Sequence, residues 1–156
     1  MLDTSHAQLR IRFITSPEYT HKVFDIIEEL LDVVVMDKDQ RHEFIIGLGE
    51  ALDNAIVHGN KLDPNKFVEV SCRVDKEKIS CTIVDEGEGF AYQSYLSVPM
   101  SEYDPQVLIR KATQGKLKAL GLGLIRKCMD EVVFNETGNQ VTLVKHLAPA
   151  LTTEVR

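Results

Sequence analysis

Apolar and polar positions alternate from Leu9 to Ile14, the pattern of a strand with one buried face. Ser16-Pro17 then reads as an N-cap followed by proline at the first helical position. Val23, Ile26, Ile27, Leu30, Leu31 and Val34 recur at helical spacing and predict a first helix to about Met36. Asp37-Lys38-Asp39 breaks the pattern. A second helix carries Phe44, Ile45, Leu48, Leu52, Ala55 and Ile56, with Gly59-Asn60 as a left-handed stop.

The period changes to two over Phe67–Val74 and Ile79–Val84, which predicts a hairpin about the polar turn Asp75-Lys76-Glu77-Lys78. A second hairpin pairs Val132–Glu136 with Gln140–Lys145 across Thr137-Gly138-Asn139. Leu122 to about Met129 reads as a helix, and the tail beyond His146 as frayed. Residues 91–120 hold no sustained period, and a loop of that length is usually functional or mobile. The sum is an α+β fold: a two-layer sandwich with helices on one face of a mixed, mostly antiparallel sheet. A chain of 156 residues suits one domain, with its core at about 8–147.

Composition narrows the partners. A net charge of −6 argues against nucleic acid, whose phosphates are bound by clustered Lys and Arg. No apolar run reaches the roughly 18 residues of a membrane span. Met1-Leu2-Asp3-Thr4-Ser5-His6 lacks the basic and then apolar layout of a secretory signal, so a cytoplasmic location is expected. Cys72, Cys81 and Cys128 are widely spaced and are expected to be buried, reduced thiols.

Three short segments carry the candidate chemistry. Glu50, Asn54 and His58 lie at i, i+4 and i+8, on one helix face. That face is either a solvated polar stripe or a site. In a site, the Asn54 amide oxygen suits Mg²⁺, and Glu50 can take a proton. His58 either complements the helix dipole or lines a pocket. Asp53 points elsewhere and is assigned no catalytic role. Asp85-Glu86-Gly87-Glu88-Gly89-Phe90 follows an apolar strand. It is either an acidic surface turn or a place where Gly87 and Gly89 admit a flat ligand and Asp85 accepts from an exocyclic amine. Gly121-Leu122-Gly123-Leu124 opens a helical run, as a flexible turn or as a phosphate cradle of free N–H groups. Neither a Walker A loop nor a Rossmann fingerprint is present.

Together, Glu50 to Asn54-Ala55, Asp85-x-Gly87-x-Gly89-Phe90 and Gly121-x-Gly123 resemble the N, G1 and G2 boxes of the GHKL ATPase superfamily. The narrower likeness is to the small anti-sigma factor serine/threonine kinases of bacterial partner-switching systems. It rests on the run Glu50–Asn60, the run Gly123–Val132 and the closing hairpin, and it covers about residues 8–147. The resemblance implies that Glu50 is the general base and that Asn54 binds the Mg²⁺ of Mg·ATP. It implies that Asp85 reads the adenine amino group with help from Thr142, that Gly87 and Gly89 admit the purine, and that Gly121 and Gly123 lie under the phosphates. Residues 91–120 would form the ATP lid, with Arg110, Lys111, Lys116 or Lys118 reaching the terminal phosphate. The second glycine box departs from the family in lacking a basic residue beside its glycines.

The function implied is an ATP-dependent serine/threonine protein kinase that is also an anti-sigma factor. It would phosphorylate an antagonist protein and bind a sigma factor. The alternative is a nucleotide-sensing binding module with little or no kinase activity, against which the retained Glu50 counts. A two-component histidine kinase is not expected, since no helix pair carrying a phospho-acceptor histidine precedes the pocket. Relatives of this kind are often homodimers, and a homodimer is expected here. Direct nucleic-acid and membrane partners are not.

Overall fold

The structure, a computed structural model, describes residues 6–93 and 117–147. Its five strands are β1 (Ala7–Ile14), β2 (Phe67–Val74), β3 (Lys78–Val84), β4 (Glu131–Phe134) and β5 (Gln140–His146). They form one sheet in the order β1-β2-β3-β5-β4. Every pairing among the described residues is antiparallel, so the sheet is not mixed there. Alternation sets the two faces: Val68, Val70, Cys72 and Val74 of β2 and Ile79, Cys81 and Ile83 of β3 are buried, and the residues between them are not.

The buried face is covered by helices. Helix α1 (Pro17–Asp32) contributes Val23, Ile27 and Leu31, and α2 (Lys38–Asp53) contributes Phe44, Leu48, Ala51 and Leu52. Helix α3 (Leu117–Cys128) adds Leu122 and Ile125. All of these join the strand residues in a single core, giving the α+β two-layer plan. Asp37 caps α2 by accepting from Gln40 N–H at 2.8 Å. Lys145 closes the far end of α3. Its buried ammonium donates to the Cys128 carbonyl at 2.8 Å and pairs with Glu43, a favourable charge at a helix C-terminus.

Three expectations are corrected. Helix α3 already includes Leu117, where the sequence pattern began it at Leu122. The second helix does not end in a left-handed Gly59-Asn60 stop: Asn60 is right-handed (φ −79°, ψ −8°), and the left-handed residues are Lys61 and Leu62. Cys72 and Cys81 are not free thiols. The β2–β3 register sets them directly opposite on the buried face, where they are joined as a disulfide. Their spacing along the chain concealed that pairing. Cys128 is free and buried, as expected.

Candidate nucleotide site

Helix α2 runs into a π-helical turn at Asn54–Gly59, closed by Asn60 N–H donating to the Ala55 carbonyl at 2.8 Å. A π turn holds more residues than an α turn, and single π turns recur at functional sites. It also spoils the strict i, i+4, i+8 face drawn from the sequence, so His58 is rotated away from the line of Glu50 and Asn54. His58 is exposed and still lines the pocket described next.

That pocket, of about 400 Å³, opens between the end of α2, the start of the β3–α3 connection and the β4–β5 hairpin. Asn54 and Asp85 both line it, with Gly59, Lys61 and Gly89. Glu50 stands one helical turn before Asn54 and is half-buried. Gly121 of α3 faces both. A Cβ on it would lie 3.1 Å from Glu50 Oε2 and 3.6 Å from Asn54 Oδ1. The missing side chain therefore lets the α3 backbone reach these two groups. Burial, and next the charge of Asp53, raise the Glu50 pKa above its ordinary value.

Asp85 marks the other end. Its Oδ1 accepts from Gly87 N–H at 2.8 Å, and its own N–H donates to the Asn139 carbonyl at 3.0 Å. Burial raises its pKa, opposed by the Gly87 N–H and the charge of Lys66. The carboxyl group rests on Gly59, where a Cβ would collide with it, and a Cβ on Gly87 would collide with the Gly59 carbonyl. Gly89 has φ +80° and lies against the Thr137 carbonyl, so both its backbone angle and its space call for glycine. Phe90 meets Phe134 edge-on at 5.6 Å, and both line the pocket.

Two site expectations change. Thr142 does not face the pocket. It shares a hydrogen bond of 2.8 Å with Thr82 on the open face of the sheet, while Val141 turns inward. Strand alternation is the cause, since neighbours on β5 point to opposite faces. Gly121 and Gly123 do not open their helix. The helix already includes Leu117–Leu120 ahead of them, so their N–H groups lie inside its hydrogen-bonding pattern and not at its start. Gly121 and Gly123 sit buried within it. Arg110, Lys111 and Lys116 lie outside the described residues, as does most of 91–120, and the Lys118 side chain does too.

No group of three His, Cys, Asp or Glu residues able to hold a metal occurs among the described residues. The Asn54 amide oxygen is a hard donor of the kind Mg²⁺ accepts alongside phosphate and water oxygens. Gly59, Asn60, Lys61 and Phe134 belong to the site but were not read as such. The one available signal was the tight His58-Gly59-Asn60 run at the end of a polar helix face.

A binding end carrying a carboxylate, a helix end carrying a carboxylate and a carboxamide, and one antiparallel sheet beneath them are features of a nucleotide-binding fold. The histidine kinase-like ATPase domain family matches residues 13–145. Serine-protein kinase RsbW of Bacillus subtilis (strain 168) is 26% identical over 140 residues, covering 89% of this chain and 85% of its own. The anti-sigma F factor of Geobacillus kaustophilus (strain HTA426) is 30% identical over 113 residues, covering 70% and 72%. A crystal structure of the RsbU and RsbW domains of a Mycobacterium tuberculosis protein superposes with a TM-score of 0.55 at 14% identity. It matches 92% of this chain but only 34% of that one, and carries the fold alone. The chain belongs to the histidine kinase-like ATPase family, in its anti-sigma factor serine/threonine kinase branch.

Proposed function

We propose that this protein is an ATP-dependent serine/threonine protein kinase and anti-sigma factor. It phosphorylates an antagonist protein and binds a sigma factor, acting as one ATP-binding kinase domain. The relatives named serine-protein kinase and anti-sigma F factor support the class. The observation that carries the chemistry is that Gly121 meets both Glu50 and Asn54, and that Asn54 lines the same pocket as Asp85, with Glu50 one helical turn behind it.

Asp85 leaves Oδ2 as an acceptor for the adenine amino group, since Oδ1 is engaged by Gly87 N–H. Gly89, His58 and Lys61 border the pocket, while Gly87 lies behind it, where its missing side chain lets the loop pack on the Gly59 carbonyl. Asn54 would hold Mg²⁺ through its amide oxygen, and the ion would neutralise phosphate charge there. Glu50 accepts the proton of the seryl or threonyl hydroxyl. Its raised pKa strengthens it as a base near neutral pH. Gly121 gives these groups room beside the α3 backbone. Positioning of this kind supplies most of the catalysis in phosphoryl transfer.

No helix among the described residues is long and apolar enough to cross a membrane. ATP supply and the likeness to the partner-switching relatives support a cytoplasmic setting, although a disulfide such as Cys72–Cys81 is uncommon there. A homodimer built on β1 and α1 completes the reading. The test is phosphotransfer from labelled ATP with Mg²⁺ to a candidate antagonist. Transfer by the wild type, abolished in Glu50→Gln with ATP binding retained, is the expected result. ATP-dependent partner binding without transfer would establish the nucleotide-sensing module instead.

A further inference from the structure

Asn60 is fully buried, and each of its side-chain groups is used. Its Nδ2 donates to Thr15 Oγ1 and to the Phe67 carbonyl, both at 2.9 Å. Its Oδ1 accepts from Glu86 N–H at 2.7 Å. An amide is costly to bury unless its donors and acceptor are matched, and a helix stop requires no such network. The backbone of Asn60 is ordinary and right-handed, so conformation does not explain the residue either.

What the network grips is informative. Glu86 N–H belongs to the peptide unit whose carbonyl carbon is that of Asp85. Asn60 therefore holds the amide that directly follows the base-reading carboxylate. Glu86 turns its own carboxylate back to accept from Phe67 N–H at 2.7 Å, which fastens the same loop to the start of β2 a second time. Gly59, the neighbour of Asn60, lies under the Asp85 carboxyl group. The end of α2 thus sets both the height and the orientation of Asp85.

We propose that Asn60 is a positioning residue for base recognition: it holds the Asp85–Glu86 peptide so that Asp85 Oδ2 meets the 6-amino group of an adenine nucleotide. The proposal rests on the reading that Asp85 receives adenine. Its readout is base preference, the ratio of Kd for purine riboside 5′-triphosphate, which lacks the amine, to Kd for ATP. Asn60→Ser cannot reach Glu86 N–H and is expected to shrink that ratio by about fivefold or more, the scale of one misaligned hydrogen bond. Asn60→Asp keeps the acceptor and loses the donors, so it should melt lower yet keep the wild-type ratio. A folded Asn60→Ser with the wild-type ratio, or an Asn60→Asp that loses preference as fully as Asn60→Ser, overturns the proposal.

Asp85→Asn separates this from the underlying reading. If it leaves the ratio intact, adenine recognition by Asp85 fails and the proposal fails with it. If it collapses the ratio while Asn60→Ser does not, only the role of Asn60 is lost. Should Asn60→Ser not fold, hydrogen exchange of the wild type decides. Glu86 N–H is expected to be protected like the amides of the sheet, and exchange at open-loop rates overturns the proposal.

Discussion

A methyl group at Gly59 probes the pocket where it is tightest. Built there, the new carbon stands 2.6 Å from each oxygen of the Asp85 carboxyl group. Ordinary contact requires the oxygens to withdraw by about 0.8 Å. They are not free to do so, because Gly87 N–H holds Oδ1 at 2.8 Å and Asp85 N–H is tied to the Asn139 carbonyl at 3.0 Å. Withdrawal breaks or bends the Gly87 bond and misaims the acceptor. A hydrogen bond to a charged group is worth about 1.5–3 kcal/mol, so ATP affinity should fall about 10- to 150-fold in Gly59→Ala. Stability responds differently. Gly59 has no positive φ, and Ala is favoured over Gly in a helix by about 1 kcal/mol. Overpacking opposes that gain with about 1–3 kcal/mol. The melting temperature should therefore move little while the Kd moves a great deal. Calorimetric titration with ATP and a thermal melt on the same sample measure both. A folded Gly59→Ala that binds ATP within about twofold of the wild type refutes the placement of Asp85 against Gly59.

Two further outcomes concern charge. Lys145→Ala leaves the Cys128 carbonyl without its buried donor and should cost about 2 kcal/mol in a denaturant melt; a loss under about 0.5 kcal/mol would remove Lys145 from its capping role. Glu50 has a raised pKa, so its stabilising effect is present below the unfolded value and is lost as pH rises through the folded one. Glu50→Gln should accordingly melt higher than the wild type near neutral pH, with the advantage fading toward about pH 4. A lower melting temperature at neutral pH would show that the carboxylate is stabilised rather than strained by its surroundings.

The sheet hairpins and the two long helices were legible because their signals are local. Strand alternation in Phe67–Val74 and Ile79–Val84, and the helical stripe through Val23, Ile27 and Leu31, report which face is buried, and burial dominates the energetics. Glu50, Asn54 and Asp85 were legible because carboxylates and carboxamides beside apolar stretches are chemically conspicuous. The extent of α3 was not legible because Gly121 and Gly123, which lie within it, argue locally for a turn.

Local pattern was enough to locate the five strands and the two long helices, their buried faces, and the polar groups available for chemistry. Which of those groups meet depends on how distant segments pack. A single-residue alternation sends Thr142 to Thr82 and Val141 to the pocket. Register across a hairpin joins Cys72 to Cys81. The need to match a buried amide draws Thr15 and Glu86, 45 and 26 residues away, to Asn60, along with Phe67 from just beyond the following loop. Such contacts depend on the pairing of distant segments, and no local pattern encodes the distance between them.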